Sequence, residues 1–177
     1  MDNKRKSILA ISGSTRKNST SEAILRTIAS LYEKSLDVHV YLSIDQLPHF
    51  NPDADTDEVD PRVTQFRGLI EHADGVLICT PEYVFSLPGT LKNAIEWTVS
   101  TTVFLNKPTA MIVASTGGEK AFESLELILK TVGANIPDRS RLLIQGARSK
   151  IGRQGDMPAE TLNKMKSVVD SLLAALA

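Results

Sequence analysis

Two stretches of this sequence place hydroxyls, cations and aromatic rings where chain geometry favours a ligand. The segment Thr80-Pro81-Glu82-Tyr83-Val84-Phe85-Ser86-Leu87-Pro88 follows the apolar run Val76-Leu77-Ile78-Cys79, which reads as a buried strand. A loop at the carboxyl end of a strand is where an open α/β sheet holds its ligand. Backbone N–H groups from Pro81 to Ser86 can face the polar edge of a ring system, and Tyr83 or Phe85 can cover its face or line the substrate side. Earlier, Ser12-Gly13-Ser14-Thr15-Arg16-Lys17-Asn18-Ser19-Thr20-Ser21 forms a second loop, rich in hydroxyls. One loop suits a phosphate and the other a flat ring, which together point to a phosphorylated aromatic ligand.

The phosphate reading has a physical basis. A strand ends at Ser12, and a helix is predicted to begin near Thr20 or Ser21. A helix start offers unpaired N–H groups and the positive end of its dipole, a ready anion site. Gly13 is expected to let the backbone approach the ligand. Ser14, Thr15, Ser19, Thr20 and Ser21 supply hydroxyls without charge, and Arg16 or Lys17 can neutralise part of a phosphate. Helix capping accounts for one such hydroxyl, not for five beside an Arg-Lys pair. A third loop, Ser115-Thr116-Gly117-Gly118-Glu119-Lys120, ends a later strand. Its adjacent glycines suit close ligand approach or a simple strand-to-helix turn.

Rival motifs fail on spacing. A Walker loop needs Gly-Lys before its Ser/Thr, where this chain has Asn18-Ser19. The dinucleotide fingerprint needs glycines two and five residues after Gly13, where Thr15 and Asn18 stand. Asp53, Asp55 and Asp57 resemble a calcium loop, but Glu58 and Thr64 occupy the positions of its Gly and Glu. His39, His49 and His72 show no metal-ligand spacing, so no metal is expected. Cys79, on a buried strand, reads as a small core residue.

The elements that must position these loops follow from periodicity. Ile8–Ile11, Val38–Leu42, Val76–Cys79, Ala110–Ala114 and Arg141–Ile144 read as strands, the second, by its alternation, nearer an edge. Continuous apolar strands mark parallel sheets covered on both faces. Helical spacing links Ile24, Ile28 and Leu31; then Leu91, Ile95 and Val99; then Leu125, Leu129 and Val132; and finally Leu162, Met165, Val169, Leu172 and Leu176. Phe66, Leu69 and Ile70 anchor a shorter second helix. The alternation predicts a three-layer α/β fold with five parallel strands in the order 2-1-3-4-5. The stretch from Ser43 to Pro61 reads as a long solvated loop. Trp97 is predicted to pack in the core, with Lys92 and Asn93 at the surface or capping a helix.

With 177 residues the chain fits one domain, residues 1–177. A net charge of −1 gives no field to recruit nucleic acid or an anionic membrane. A single cysteine precludes an internal disulfide. The polar start Met1–Lys6 leads into too short an apolar run for a signal peptide, and no run approaches the roughly 20 residues of a membrane span. The expectation is a cytoplasmic protein.

Gly13-Ser14-Thr15-Arg16 with Ser19, Pro81-Glu82-Tyr83 with Ser86, Pro88-Gly89 and Leu91-Lys92-Asn93-Ala94-Ile95-Glu96-Trp97 resemble the NAD(P)H-dependent FMN reductases. These are flavodoxin-like flavoproteins that include quinone, azo-dye and chromate reductases. The resemblance covers nearly the whole chain. It implies FMN, its phosphate held by Ser14, Arg16, Ser19, Thr20 and Ser21. The isoalloxazine would lie against Pro81, Glu82, Tyr83, Val84 and Phe85, with Ser115 and Gly117 on the third loop. Thr15 and Ser86 join that set from their own loops. Val84 departs from the family, which often carries Asn there, and Ala121-Phe122 replace a more glycine-rich continuation. The resemblance further implies hydride transfer from NAD(P)H to the flavin and onward to a small acceptor: free flavin, a quinone, an azo compound or a metal oxyanion. No side-chain nucleophile or general base is expected. Arg16 is a candidate contact to the nicotinamide nucleotide's phosphates. A homodimer or homotetramer is implied, with the third helix and loop 43–61 as contact surfaces. Two alternatives stand beside this reading. One is a flavodoxin-type electron carrier, disfavoured by the near-neutral charge; the other is a non-enzymatic binding module.

Overall fold

The computed structural model describes residues 5–152 and 156–176. Residues 1–4, on which the expectation of no signal peptide partly rests, lie outside them. Five strands form one parallel sheet: β1 (Lys6–Ser12), β2 (Leu36–Tyr41), β3 (Gly75–Thr80), β4 (Thr109–Ser115) and β5 (Arg141–Gln145). Their order is β2-β1-β3-β4-β5, as expected, with β2 at an edge. Among the described residues six α-helices accompany them: α1 (Thr20–Leu31), α2 (Pro61–His72), α3 (Gly89–Glu96), α4 (Glu119–Thr131), the single turn α5 (Ala147–Lys150) and α6 (Ala159–Ala174).

Successive strand residues point to opposite faces, and the two cores divide accordingly. Leu9, Ile11, Val76, Ile78, Met111 and Val113 pack with α2, α3 and α4. Ile8, Ala10, Leu77, Cys79, Ala110 and Ile112 pack with α1 and α6. Burial on both faces is why these strands read as unbroken apolar runs. Cys79 is fully buried as expected, and burial pushes its thiol up to about 12, although the Ser21 hydroxyl pulls the other way. It is thus a packing residue rather than a nucleophile.

Register sets up the site. Ser12 pairs with Cys79, Thr80 with Val113, and Ser115 with Gln145. Parallel strands in this register end together, so the loops after β1, β3, β4 and β5 emerge along one edge.

Several local expectations need correction. α2 is no shorter than α1, both having 12 residues, because Asp60 accepts from the Arg62 N–H and Pro61 starts the helix cleanly. Val99 does not continue the α3 stripe: the helix stops at Glu96, the chain enters turns, and Val99 is 65% exposed. Leu176 likewise lies beyond α6.

Loop 43–61 is not simply solvated. It contains two short 3-10 turns, and Ile44 and Leu47 are buried. Asn93 accepts from the Phe50 N–H and donates to the Pro48 carbonyl, which also accepts from the Trp97 indole N–H. Phe50 meets Trp97 edge-on at 5.1 Å. Asp55 pairs with Arg67 at 2.8 Å. The loop is thereby fixed against α3 and Trp97.

Candidate flavin site

The first loop is tied by its own hydroxyls. The Ser12 hydroxyl donates to the Ser14 carbonyl at 3.1 Å, and the Ser14 Oγ accepts from the Arg16 N–H at 3.4 Å. Ser19 caps α1 by accepting from the Glu22 N–H at 3.1 Å, while the Glu22 carboxylate accepts from the Asn18 N–H at 3.1 Å. This reciprocal arrangement fixes the helix start. It leaves the first-turn N–H groups of Thr20 and Ser21 without intrahelical partners and available to an anion. Ser14, Ser19 and Ser21 are buried, whereas Thr15 is exposed.

Gly13 is required by packing. A Cβ there would stand 2.3 Å from the Thr80 Oγ1 and 2.9 Å from Leu91. The loop therefore presses against β3, where the Gly13 N–H donates to the Cys79 carbonyl at 2.8 Å. On the third loop, Gly118 adopts φ 111°, and a Cβ would meet Leu143 at 2.7 Å, so this glycine makes the turn into α4 possible.

Glu82 joins the second loop to the third. Its carboxylate accepts from the Lys120 and Ala121 N–H groups at 3.1 and 3.0 Å, capping α4, whose own N-cap, Gly118, has no side chain. The helix end offsets the carboxylate's charge, which lets a phosphorylated ligand lie nearby.

The tip of the second loop is a tight turn: Tyr83 and Ser86 exchange backbone hydrogen bonds at 2.9 and 3.0 Å. Val84 and Phe85 between them take φ 51° and 55°. Side chains at the tip point outward, Val84 being 96% and Phe85 79% exposed. A left-handed β-branched residue is strained, whereas Asn and Gly tolerate that conformation. The departure at Val84 thus acts through the backbone of the turn. Val84→Gly is expected to raise stability by about 1 kcal/mol by relieving that strain, read as a higher urea midpoint. An unchanged or lower midpoint would contradict the strain.

A cavity of about 250 Å³ opens among these loops. Ser14, Arg16, Ser19, Thr20 and Ser21 line one side, and Pro81, Glu82 and Tyr83 another. Ser115 closes it with Ala114 and Thr116. Of the expected residues, Thr15, Val84, Phe85, Ser86 and Gly117 lie outside the lining. Sequence reasoning missed Thr116, Ala147 and Arg148, which do line it. Thr116 lay within the third loop, but α5 carried no sequence signal. A larger polar cavity of about 510 Å³ adjoins it, sharing Arg16, Ser19, Thr20 and Arg148. Buried hydroxyls at a helix start, two arginines and a proline-tyrosine wall fit a phosphorylated ring.

The chain is similar in sequence and fold to known proteins. The sequence model of the NADPH-dependent FMN reductases matches residues 7–148. An NAD(P)H-dependent FMN reductase of Pseudomonas aeruginosa is 30% identical over 174 residues, covering 96% of this chain and 92% of that one. An NADPH azoreductase of Bacillus sp. strain OY1-2 is 30% identical over 153 residues, covering 84% and 82%. In structure, the NAD(P)H:(acceptor) oxidoreductase FerB of Paracoccus denitrificans superposes with a TM-score of 0.81 at 29% identity, covering 97% of each chain.

Proposed function

The chain belongs to the NADPH-dependent FMN reductase family, and on that premise we propose how its residues serve an NAD(P)H-dependent, FMN-containing reductase. The observation that carries the assignment of residues is the cavity where the hydroxyl loop, the Pro81–Tyr83 loop and the Ser115–Thr116 loop converge at the strand ends. FMN held there would supply the redox chemistry of hydride transfer from a nicotinamide cofactor and of electron transfer to a small acceptor.

The protein's part is to bind, orient and shield. The Thr20 and Ser21 N–H groups and the hydroxyls of Ser14, Ser19 and Thr20 receive the phosphate, with Arg16 adding charge. Pro81, Glu82 and Tyr83 bound the ring from the β3 side, and Ser115 from the β4 side. Glu82 holds those two walls together through α4, so it positions rather than reacts. Val84, Phe85 and Ser86 shape the turn that presents Tyr83. No side chain at the site is assigned a nucleophilic or general-base role. Arg16 lines both cavities, and a contact to the phosphates of the nicotinamide nucleotide is its second proposed role.

Free flavin, quinones, azo compounds and metal oxyanions are the acceptors proposed. A cytoplasmic, single-domain protein is the accompanying reading. Among the described residues no helix is long and apolar enough to cross a membrane. Self-association as a dimer or tetramer is proposed, with the outward tip of Val84 and Phe85 offering apolar surface for it; light scattering at micromolar concentration should give a multiple of 19.3 kDa.

The test of function is anaerobic addition of NADPH or NADH to FMN-loaded protein. Bleaching of the flavin absorbance, and its return with a quinone, is expected. A flavin band that neither nucleotide bleaches would contradict the assignment.

A further inference from the structure

The turn after β5 places a cation beside the phosphate loop. Gly146 takes φ 62° and its N–H donates to the Thr116 carbonyl at 3.1 Å. Ala147 and Ile151 are buried, and the Ile151 N–H donates to the Ala147 carbonyl at 2.9 Å. α5 is thereby fixed against the end of β4, and Arg148 extends from it. Arg148 lines both the 250 Å³ and the 510 Å³ cavities, as do Arg16, Ser19 and Thr20. Among the described residues the side chains of Arg16 and Arg148 make neither an ion pair nor a hydrogen bond, whereas Arg26, Arg62, Arg67 and Arg141 each engage a carboxylate and Arg5 and Arg139 donate to the Glu33 carbonyl and the Ser167 hydroxyl. Two guanidinium groups without a partner among the described residues thus line one hydroxyl-bearing space, and their planar forks match phosphate oxygens.

We propose that Arg148 is a specificity residue that, together with Arg16, clamps the FMN phosphate and selects FMN over riboflavin. The inference rests on the FMN reading above. It adds a ligand contact from the β5 side of the sheet, where the sequence motifs placed none. Arg148 is exposed, so shortening it removes little packing, and its effect should be confined to the phosphate.

The experiment is titration of wild type, Arg148→Ala and Arg148→Lys with FMN and with riboflavin, followed by flavin fluorescence. Wild type is expected to bind FMN more tightly than riboflavin. Arg148→Ala should bind FMN roughly 10- to 100-fold more weakly, the loss of one charge-assisted phosphate contact, with riboflavin unchanged. Arg148→Lys should keep part of the preference, and added salt should shrink it. If riboflavin binds too weakly to read, inorganic phosphate should compete with FMN better on wild type than on Arg148→Ala. FMN affinity unaltered in Arg148→Ala, an equal loss for FMN and riboflavin, or equal phosphate competition would overturn the clamp. Wild type that binds no FMN would overturn the FMN reading, and the clamp with it, before any variant is compared.

Discussion

Arg67→Ala is expected to cost about 3 kcal/mol of stability, the low end for removing one partner of a buried ion pair. The Arg67 side chain is 14% exposed and that of Asp55 8%. Arg67 donates to both Asp55 oxygens at 2.8 and 2.9 Å and to the Trp97 carbonyl at 2.6 Å, and Ser100 donates to Asp55 at 2.6 Å. The arginine also lies 6.0 Å from the Trp97 ring centroid. One side chain therefore holds loop 43–61, α2 and the end of α3. Removing it strands the Asp55 charge with Ser100 alone and frees the loop that covers Trp97. Burial by itself would raise the Asp55 carboxyl, but the hydrogen bonds from Ser100 and Arg67 and the Arg67 charge together hold it below its ordinary 3.8. A depressed carboxyl contributes stability above its unfolded value and loses it as pH falls through the folded one. The gap between wild type and Arg67→Ala should thus be constant above about pH 5 and narrow in acid. A gap under 1 kcal/mol at neutral pH in urea unfolding, or one that widens in acid, would refute the role.

Gly13→Ala is expected to cost about 3 kcal/mol, the upper end for overpacking, and to weaken FMN binding as well. The added methyl would stand 2.3 Å from the Thr80 Oγ1 and 2.6 Å from its Cβ. Rotating Thr80 moves its hydroxyl, but its Cβ is fixed to β3, so the clash is relieved only by parting the ends of β1 and β3. That would stretch the 2.8 Å bond from the Gly13 N–H to the Cys79 carbonyl. The displaced segment carries Ser14 and leads to the phosphate-receiving turn, so stability and affinity should fall together. Gly89→Ala is the control: a Cβ there meets nothing within 4 Å, and alanine suits a helix better than glycine. It should be neutral or slightly stabilising. Gly13→Ala with wild-type stability would show that the loop does not press on Thr80.

The sheet was legible in the sequence because each strand is buried on both faces, so apolar runs such as Val76–Cys79 coincide with strands. Register was not legible, yet it brings Ser14, Tyr83 and Ser115 to one cavity. The hydroxyl loop could be read because five hydroxyls beside two cations exceed what capping needs. The packing role of Gly13 was not legible, since local sequence does not reveal that a Cβ there would meet Thr80. Arg67 and Asp55 are paired by tertiary packing, so the acidic, turn-forming run Asp53–Glu58 does not show in sequence which cation it meets. Val84 stood out as a departure, but only the backbone shows that the cost lies in a left-handed turn. Arg148 lies in a short polar stretch that reads as surface; its place follows from Gly146 turning the chain back onto Thr116.

The most direct test of the site is the structure of the protein crystallised with FMN. The phosphate should lie over the Thr20 and Ser21 N–H groups, within reach of the Ser14 and Ser19 hydroxyls, and the ring between Pro81–Tyr83 and Ser115–Thr116. Flavin bound elsewhere, or no flavin at saturating concentration, would contradict it.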